Sequence, residues 1–112
     1  MSDFAPLPDP PYYAVIFTAT VNSDTAGYDL MATKMSQLAA RQPGYIGVEH
    51  SRNAQGLGIT VSYWQDEDAL AAWKAEAGHL LAQKMGKTCW YKYYTLRVAK
   101  VERAYSGPEG RM

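Results

Sequence analysis

The two histidines are the residues of this 112-residue chain whose chemistry best suits catalysis. The imidazole of histidine has an unperturbed pKa near ~6.5, so it can accept or donate a proton around neutral pH. His79 lies in "YWQDEDALAAWKAEAGHLLAQK", a stretch with helical spacing, and we select it as the candidate catalytic residue. The alternative is a helix histidine bonded to a neighbouring backbone or hydroxyl group. His50, which alternates with apolar residues on a strand pattern, is the weaker candidate.

Large aromatic residues could line a pocket for a planar ligand. The candidate ligand-binding residues are Trp64, Trp73, Trp90, Tyr91, Tyr93 and Arg97. The tyrosines could donate a phenolic hydrogen bond to a substrate carbonyl. Arg97 could anchor an anion or pair with a carboxylate at an interface. The alternative for the aromatic residues is ordinary packing, because each ring buries ~150–250 Å².

Metal and thiol chemistry are not predicted. No second His, Cys or carboxylate stands at ligand spacing from either histidine, so we expect no metal site. Cys89 is the single cysteine, which excludes a disulfide within the chain and a C-x-x-C redox motif. We therefore expect the thiol of Cys89 to be buried and inert.

The charge balance and the lack of long apolar runs limit the partners of the chain. Eleven Lys and Arg residues offset eleven Asp and Glu residues, which argues against binding to nucleic acid through phosphate neutralisation. The first residues, "MSDFAPLPDPPYY", lack the basic start and apolar run of a signal peptide. No apolar stretch approaches the ~20 residues that span a bilayer. We expect a cytoplasmic protein that binds neither nucleic acid nor membrane.

Hydrophobic patterning predicts one domain with the element order β-α-β-β-α-β. Residues 1–11 contain four prolines and predict an extended arm, residues 12–105 the domain, and residues 106–112 a flexible tail. The predicted strands are Tyr12–Val21, Tyr45–Arg52, Leu57–Trp64 and Cys89–Tyr105. The first helix carries an apolar stripe from Tyr28 to Ala39, and the second carries the tryptophan and histidine of the stretch quoted above.

Polar and small residues mark where these elements begin and end. Asp24 or Thr25 could cap the first helix, and "QPG" ends it because proline lacks the amide that a further turn needs. Asp66 is predicted to cap the second helix, and Gly78 is predicted to bend it into two pieces. The turn "NAQG" between the second and third strands suits a β-hairpin.

This element order predicts a ferredoxin-like α+β fold, with a four-stranded antiparallel sheet and two helices on one face. The first and last predicted strands are apolar on both of their faces. Since the helices cover one face only, something else must cover the other. The commonest solution is a twofold homodimer, and two packed sheets would leave room for a small hydrophobic or aromatic ligand. We predict a homodimer.

Three stretches resemble the antibiotic biosynthesis monooxygenase domain superfamily: "QPGYIGVEHSR", "GITVSYWQDEDALAAWKAEAGHLLAQK" and "WYKYYTLRVAKVERAY". The resemblance covers residues 12–105 and implies a dimeric α/β-barrel on a ferredoxin-like base. It also implies a cofactor-independent monooxygenase that acts on an aromatic or enolisable small molecule. The alternative is a non-catalytic dimer of the same fold that binds a ligand or serves a stress-related role, with haem degradation the less favoured reading.

The functional residues of this superfamily are matched only in part. Members that oxidise polycyclic phenols use an Asn four residues before a Trp, a Tyr six residues after it, and a later Arg. The Trp is matched by Trp64, whereas the Asn and Tyr positions hold Thr60 and Leu70, and the Arg position falls near Lys84.

The haem-degrading members use an Asn on the first strand and a Trp with a His ten residues later. Trp73 matches that Trp, Gln83 stands at the His position, and His79 comes about one turn earlier. The first strand has Phe17 or Thr18 where the Asn would be.

Overall fold

The computed structural model of the protein describes residues 4–21, 28–85 and 91–107, with side chains described for residues 4–20, 33–77 and 93–107. The elements are β1 (Tyr12–Val21), α1 (Tyr28–Ala40), β2 (Tyr45–Arg52), β3 (Leu57–Trp64), α2 (Glu67–Met85) and β4 (Tyr91–Val101). The four strands form one antiparallel sheet in the order β2-β3-β1-β4, and the two helices lie on one side of it. The predicted ferredoxin-like α+β fold is confirmed.

The strand register divides the sheet into two faces and two ends. Directly paired residues of antiparallel strands share a face. The helix face therefore contains the row that pairs Val48, Ser62, Val15 and Val98 across the sheet. The outer face contains the alternate residues, including Ile16 and its partner Arg97. We call the end where Tyr13 pairs with Trp64 proximal, and the end where Thr20 pairs with Leu57 distal.

The core lies between the helices and the proximal half of the helix face. Its buried members are Val15, Ala39, Trp64 and Leu70, with Tyr13, Tyr45, Ala69 and Trp73 packed against them. α1 contacts β2, while α2 contacts β1 and β3. The central strands and the edge strand β2 therefore each contact a helix on this face, and among the described residues the edge strand β4 is covered least.

The second helix is capped as predicted but is not divided into two pieces. Asp66 Oδ1 accepts a hydrogen bond from the Ala69 backbone N–H at 2.8 Å, and Glu67 and Asp68 occupy the first turn, where the helix dipole favours negative charge. The predicted division into two helical pieces at Gly78 is wrong, because α2 continues without a break to Met85. A glycine costs a helix only ~1 kcal/mol relative to alanine. The Ala, Leu, Lys and Gln residues around it are strong helix formers.

The turns are formed by the residues that patterning selected. Asn53 Oδ1 accepts hydrogen bonds from the backbone N–H groups of Gln55 and Leu57, at 3.0 and 2.9 Å, and Gly56 has φ of 92°. Gly44, which follows α1, has φ of 81°. A Cβ atom at Gly44 would lie 2.5 Å from the Ala69 Cβ, so α2 approaches this turn closely.

Two predictions at element boundaries have different outcomes. The last strand spans Tyr91–Val101, shorter than the predicted Cys89–Tyr105 at its carboxyl end. Ala104 to Gly107 leave the sheet and turn toward the amino-terminal arm. The candidate caps of the first helix, Asp24 and Thr25, lie outside the described residues.

Residues 4–11 cross the outer face of the sheet, and we call them the strap. The Ala5 backbone N–H donates to Glu49 Oε2 at 3.0 Å, which places the strap over β2. The strap, Tyr12 and residues 104–107 line a groove of about 620 Å³ at the proximal end. Part of the outer face is thus covered by the strap of the same chain. From the sequence, we had expected a second copy of the chain to cover this face.

Candidate functional site

The distal half of the helix face carries chemically useful side chains that the core leaves accessible. One row across the sheet pairs His50 with Thr60, Thr60 with Phe17, and Phe17 with Leu96. Tyr94 belongs to the next row, opposite the buried Ala19. We call His50, Thr60, Phe17, Tyr94 and Leu96 the distal platform.

Phe17 and Tyr94 form the aromatic part of the distal platform. Their ring centroids lie 5.5 Å apart, with the planes inclined at 38°. Phe17 is half-buried, whereas Tyr94 is 57% exposed and Leu96 is 42% exposed. Aromatic faces at this spacing can receive a further ring by offset or edge-to-face packing. The platform therefore has the apolar surface that a planar ligand needs.

The polar edge of the distal platform lies on β2. His50 is exposed and stands opposite the half-buried Thr60. Arg52, in the next row, has its guanidinium against the glycine of β3: a Cβ atom at Gly58 would lie 2.8 Å from Arg52 Cζ. Arg52 Nη1 also donates to the Gly56 carbonyl at 2.9 Å. A proton acceptor and a fixed cation thus lie along one edge of an aromatic surface.

His79 belongs to the part of α2 that runs toward this platform. α2 begins just after the proximal end of β3, and β4 begins at the distal end, where Tyr91 pairs with Val21. A 19-residue helix is ~28 Å long, about the length of an eight-residue strand. The last turns of α2 therefore extend along the distal half of the sheet. The side chains of His79 and Tyr91, and the whole of Trp90, lie outside the described residues.

The predicted ligand-binding tryptophans of the described region are core residues. Trp64 has no exposed surface, and its indole N–H donates to Ser62 Oγ at 2.9 Å. Its ring stacks on Trp73 at 5.8 Å and meets Tyr45 edge-on at 5.6 Å. The three rings hold α2 against the sheet beside the platform. Burial raises the pKa of the Tyr45 phenol.

Tyr93 and Arg97 lie on the other face of the sheet. Arg97 pairs with Ile16 and Tyr93 with Thr20, both of which belong to the outer face. Tyr93 is 70% exposed. The structure therefore does not bring Tyr93 and Arg97 together with Trp64 and Trp73 within the chain.

A hydrogen-bonded pair lies on the outer face, and neither of its residues was among the predicted site residues. The Tyr63 hydroxyl donates to Glu49 Oε1 at 2.7 Å, and the Tyr63 ring packs edge-on against Tyr12 at 5.8 Å. Burial, followed by the hydrogen bond to Glu49 and its negative charge, raises the pKa of Tyr63 well above its usual range. The two residues are 14 positions apart, so only the β2–β3 register could have indicated their contact.

Among the described residues, no three His, Cys, Asp or Glu side chains are grouped so that they could hold a metal ion. Within the same part of the chain, neither helix is long and apolar enough to cross a membrane.

Comparison with known proteins decides the family. Residues 13–85 match the sequence model of the family described as "antibiotic biosynthesis monooxygenase". The chain belongs to the antibiotic biosynthesis monooxygenase family. Its relatives include the "uncharacterized protein YqjZ" of Bacillus subtilis (strain 168), which is 48% identical over 104 residues. The aligned region covers 92% of this chain and 91% of that protein.

Solved structures similar to this family member share its fold at low sequence identity. SnoaB, a cofactor-independent oxygenase from Streptomyces nogalater, has a TM-score of 0.65 at 19% identity, over 89% of this chain and all of that one. Protein SO0527 from Shewanella oneidensis has a TM-score of 0.69 at 13% identity, over 84% of this chain and 94% of that one. The antibiotic biosynthesis monooxygenase fold is thus present over most of the chain.

Two of the positions that, by the resemblance, depart from the phenol-oxidising pattern have different surroundings. Thr60, at the Asn position, lies on the distal platform between His50 and Phe17. Leu70, at the Tyr position, is a buried core residue that is 6% exposed. At the position where the phenol-oxidising pattern has an amide, Thr60 thus places a hydroxyl on the platform. At the position where that pattern has a tyrosine, Leu70 packs in the core instead.

Proposed function

We propose that this protein is a monooxygenase that binds an aromatic or enolisable small molecule on the distal platform. The observation that supports this most is the accessible Phe17–Tyr94 ring pair beside the imidazole of His50 and the hydroxyl of Thr60. Family membership points to the same reaction class. Because fold alone does not establish function, the proposal depends on these side chains.

The proposed reaction needs no electron donor other than the substrate. A base removes the proton of a phenol or of an activated methylene, and the resulting carbanion passes an electron to O₂. One oxygen atom then replaces the two hydrogens of the methylene as a carbonyl, and the other oxygen leaves with those hydrogens as water. The protein supplies a proton acceptor and an apolar aromatic surface against which the carbanion can pack. His79 is the proposed base, and His50 is the second candidate.

Substitution of each histidine in turn shows which of them is the base. We expect His79→Ala to slow oxygen uptake with anthrones, hydroquinones and quinols by about 10²-fold or more, the usual contribution of general base catalysis. His50→Ala tests the second candidate in the same assay. Lys74→Ala, at an exposed position of α2, is the control and should retain the parental rate. Parental rates in both histidine variants would exclude this mechanism.

The face that binds the substrate is tested with two adjacent tyrosines. Tyr94 lies on the helix face and Tyr93 on the outer face of the same strand. Tyr94→Ala removes the ring contact with Phe17 and should raise KM, whereas Tyr94→Phe keeps the ring and should not. Tyr93→Ala should leave KM unchanged. A rise in KM with Tyr93→Ala alone would place the substrate on the outer face instead.

We also propose that two protomers associate as a homodimer. Large apolar side chains are exposed on both faces of β4 and on the outer face of β3: Tyr93, Tyr94, Leu96, Val98, Leu57 and Ile59. Exposed apolar surface of this kind is typical of an interaction site. Analytical ultracentrifugation at micromolar protomer concentration should give a dimer, and a stable monomer would contradict the proposal.

The second candidate function is a non-catalytic dimer that binds a hydrophobic ligand. Leu70 supports it, because this buried leucine occupies the position of a functional tyrosine in the phenol-oxidising members. Saturable ligand binding without oxygen uptake would favour this function. Haem degradation has less support, since Phe17 stands in ring contact with Tyr94 near the position where the haem-degrading members have an amide. A haem titration without a Soret shift would exclude it.

A further inference from the structure

Arg52 is held over the neighbouring strand by two independent features of the β2–β3 hairpin. Its Nη1 donates to the Gly56 carbonyl at 2.9 Å. Its partner in the strand register is Gly58, and a Cβ atom there would lie 2.8 Å from Arg52 Cζ, 2.9 Å from Nη2 and 3.0 Å from Nη1. The guanidinium therefore occupies the space that a side chain of β3 would fill. It places a cation on the helix face, above β3, where it is still exposed to solvent.

One row of the sheet leads from this guanidinium to the aromatic pair of the distal platform. Gly58 pairs with Ala19, and Ala19 pairs with Tyr94. Within this row, the side chain between the guanidinium and Tyr94 is the single methyl of Ala19. The strands β3 and β4 are two strand spacings apart, roughly 9–10 Å. The cation and the Phe17–Tyr94 ring pair are thus separated by about the length of a two-ring aromatic acid.

The formal charges that the described strand residues place on the helix face are positive. They belong to Arg52 at the distal end and to Lys100, which pairs with Tyr13 at the proximal end. The carboxylate of Glu49 lies on the outer face, where it accepts the Tyr63 hydroxyl. A surface lined by one sign of charge attracts ligands of the opposite sign. The distal platform is therefore better suited to an anionic ligand than to a cationic one.

The guanidinium group has the shape to bind a carboxylate. Its five N–H donors lie in one plane and match the two oxygens of a carboxylate, which they bond in parallel. Arg52 donates to Gly56 through Nη1, and donors on the other two nitrogens can serve a ligand at the same time. Because the hairpin already orients the fork, little side-chain freedom is lost when an anion binds.

We propose that Arg52 binds a carboxylate of the substrate, so that the distal platform selects aromatic or enolisable acids over their uncharged analogues. The ring of such an acid packs on Phe17 and Tyr94, while its carboxylate meets the guanidinium above Gly58. Arg52 is thereby a specificity-determining residue that also orients the ring on the platform. This inference rests on the proposed function and names the acidic class among its substrates.

The first test compares two ligands that differ in charge but hardly in shape, naphthoate and naphthamide. Neither has an oxidisable hydroxyl, so isothermal titration calorimetry measures their binding apart from turnover. At low ionic strength the parent should bind the naphthoate about tenfold more tightly than the amide, as expected for a charge-assisted pair that is partly screened by solvent. Arg52→Gln should abolish this preference, and added salt should weaken it in the parent.

Two further variants separate the position of the cation from its charge. Gly58→Val keeps the charge of Arg52 but fills the space in which the guanidinium lies, so it should also weaken the preference for naphthoate. This variant should fold, because valine suits a strand and the atoms that it displaces end a flexible side chain. Arg41→Gln is the matched control. It removes an equal charge at an exposed position after α1 and should keep the parental preference.

Oxygen uptake distinguishes this inference from the proposed function. It is measured with hydroquinone and with its carboxylated analogue, gentisate. Arg52→Gln should raise KM for gentisate by about tenfold with a smaller change in kcat, because the lost contact is already made in the ground state. A naphthoate preference without any oxygen uptake would support the carboxylate site and refute the monooxygenase.

The opposite results would overturn the role of Arg52. If the parent consumes oxygen but binds naphthoate no better than naphthamide, the monooxygenase stands and the carboxylate site is refuted. A naphthoate preference that persists in Arg52→Gln has the same meaning. A parent that binds neither ligand refutes the carboxylate site as well, and its oxygen uptake then decides the proposed function separately.

Discussion

The hydrogen bond between Trp64 and Ser62 should control the stability of the core. The indole N–H of the fully buried Trp64 donates to Ser62 Oγ at 2.9 Å, and Ser62 is 9% exposed. Ser62→Ala leaves this N–H buried without an acceptor, which costs about 1–3 kcal/mol. Trp64→Phe removes the donor and part of the ring, and should destabilise by a similar amount.

The double variant distinguishes the hydrogen bond from general packing. Once Trp64→Phe has removed the N–H, Ser62→Ala no longer leaves a buried donor without an acceptor. The double variant should therefore lose about 1–2 kcal/mol less stability than the sum of the losses in the two single variants. Urea unfolding followed by far-UV circular dichroism, at one protomer concentration, measures all four proteins. With an m-value of about 2 kcal/mol/M, a loss of 2 kcal/mol lowers the midpoint by about 1 M.

Two results would refute this reasoning. One is a Ser62→Ala protein that unfolds at the parental urea concentration. The other is a pair of costs that add fully in the double variant. Ser36→Ala, at an exposed position of α1, is the control and should change the free energy of unfolding by less than about 0.5 kcal/mol.

Three further predictions concern single positions. Gly44→Ala should lower the free energy of unfolding by about 1–3 kcal/mol, because φ is 81° at this position and the new Cβ would meet Ala69. Thermal unfolding measures this loss, and a midpoint equal to that of the parent would contradict the prediction. Asp66→Ala should lower the free energy of unfolding by about 1 kcal/mol, because the helix cap is lost. Asp66→Asn should keep most of this capping stabilisation when it is measured by the same thermal unfolding. The raised pKa of Tyr63 means that the unfolded chain loses the phenolic proton near pH ~10 while the folded chain keeps it. The parent should therefore lose stability above pH ~10 more steeply than Tyr63→Phe in urea titrations, and equal slopes would show that the Tyr63 pKa is not raised.

Local patterning was sufficient to predict the elements and their order. The bounds of β1, β2 and β3 agree with alternation and turn residues, and the Asp66 cap agrees with its position before an acidic turn. These features depend on residues that are close in sequence. The predicted break in the helix at Gly78 was wrong because a single glycine is outweighed by the helix formers on both sides.

The candidate site was harder to predict because it depends on register between distant strands. Residue type alone placed Trp64, Tyr93 and Arg97 in one set, but the pairing of β1 with β4 puts Tyr93 and Arg97 on the outer face. The same register brings Phe17 to Tyr94, 77 residues later. Such contacts cannot be read from composition, since a shift of one residue moves every side chain to the opposite face.

The groove between the strap and residues 104–107 gives the molecule a natural position for a fluorophore. It lies at the proximal end, where it is lined by Tyr12, and the rows of the distal platform begin five residues further along β1, roughly 17–23 Å away. A dye attached at the exposed Ser106 would respond to movement of the neighbouring strap while leaving the aromatic surface around Phe17 and Tyr94 undisturbed. Movement of the strap and turnover could thus be followed on the same labelled sample.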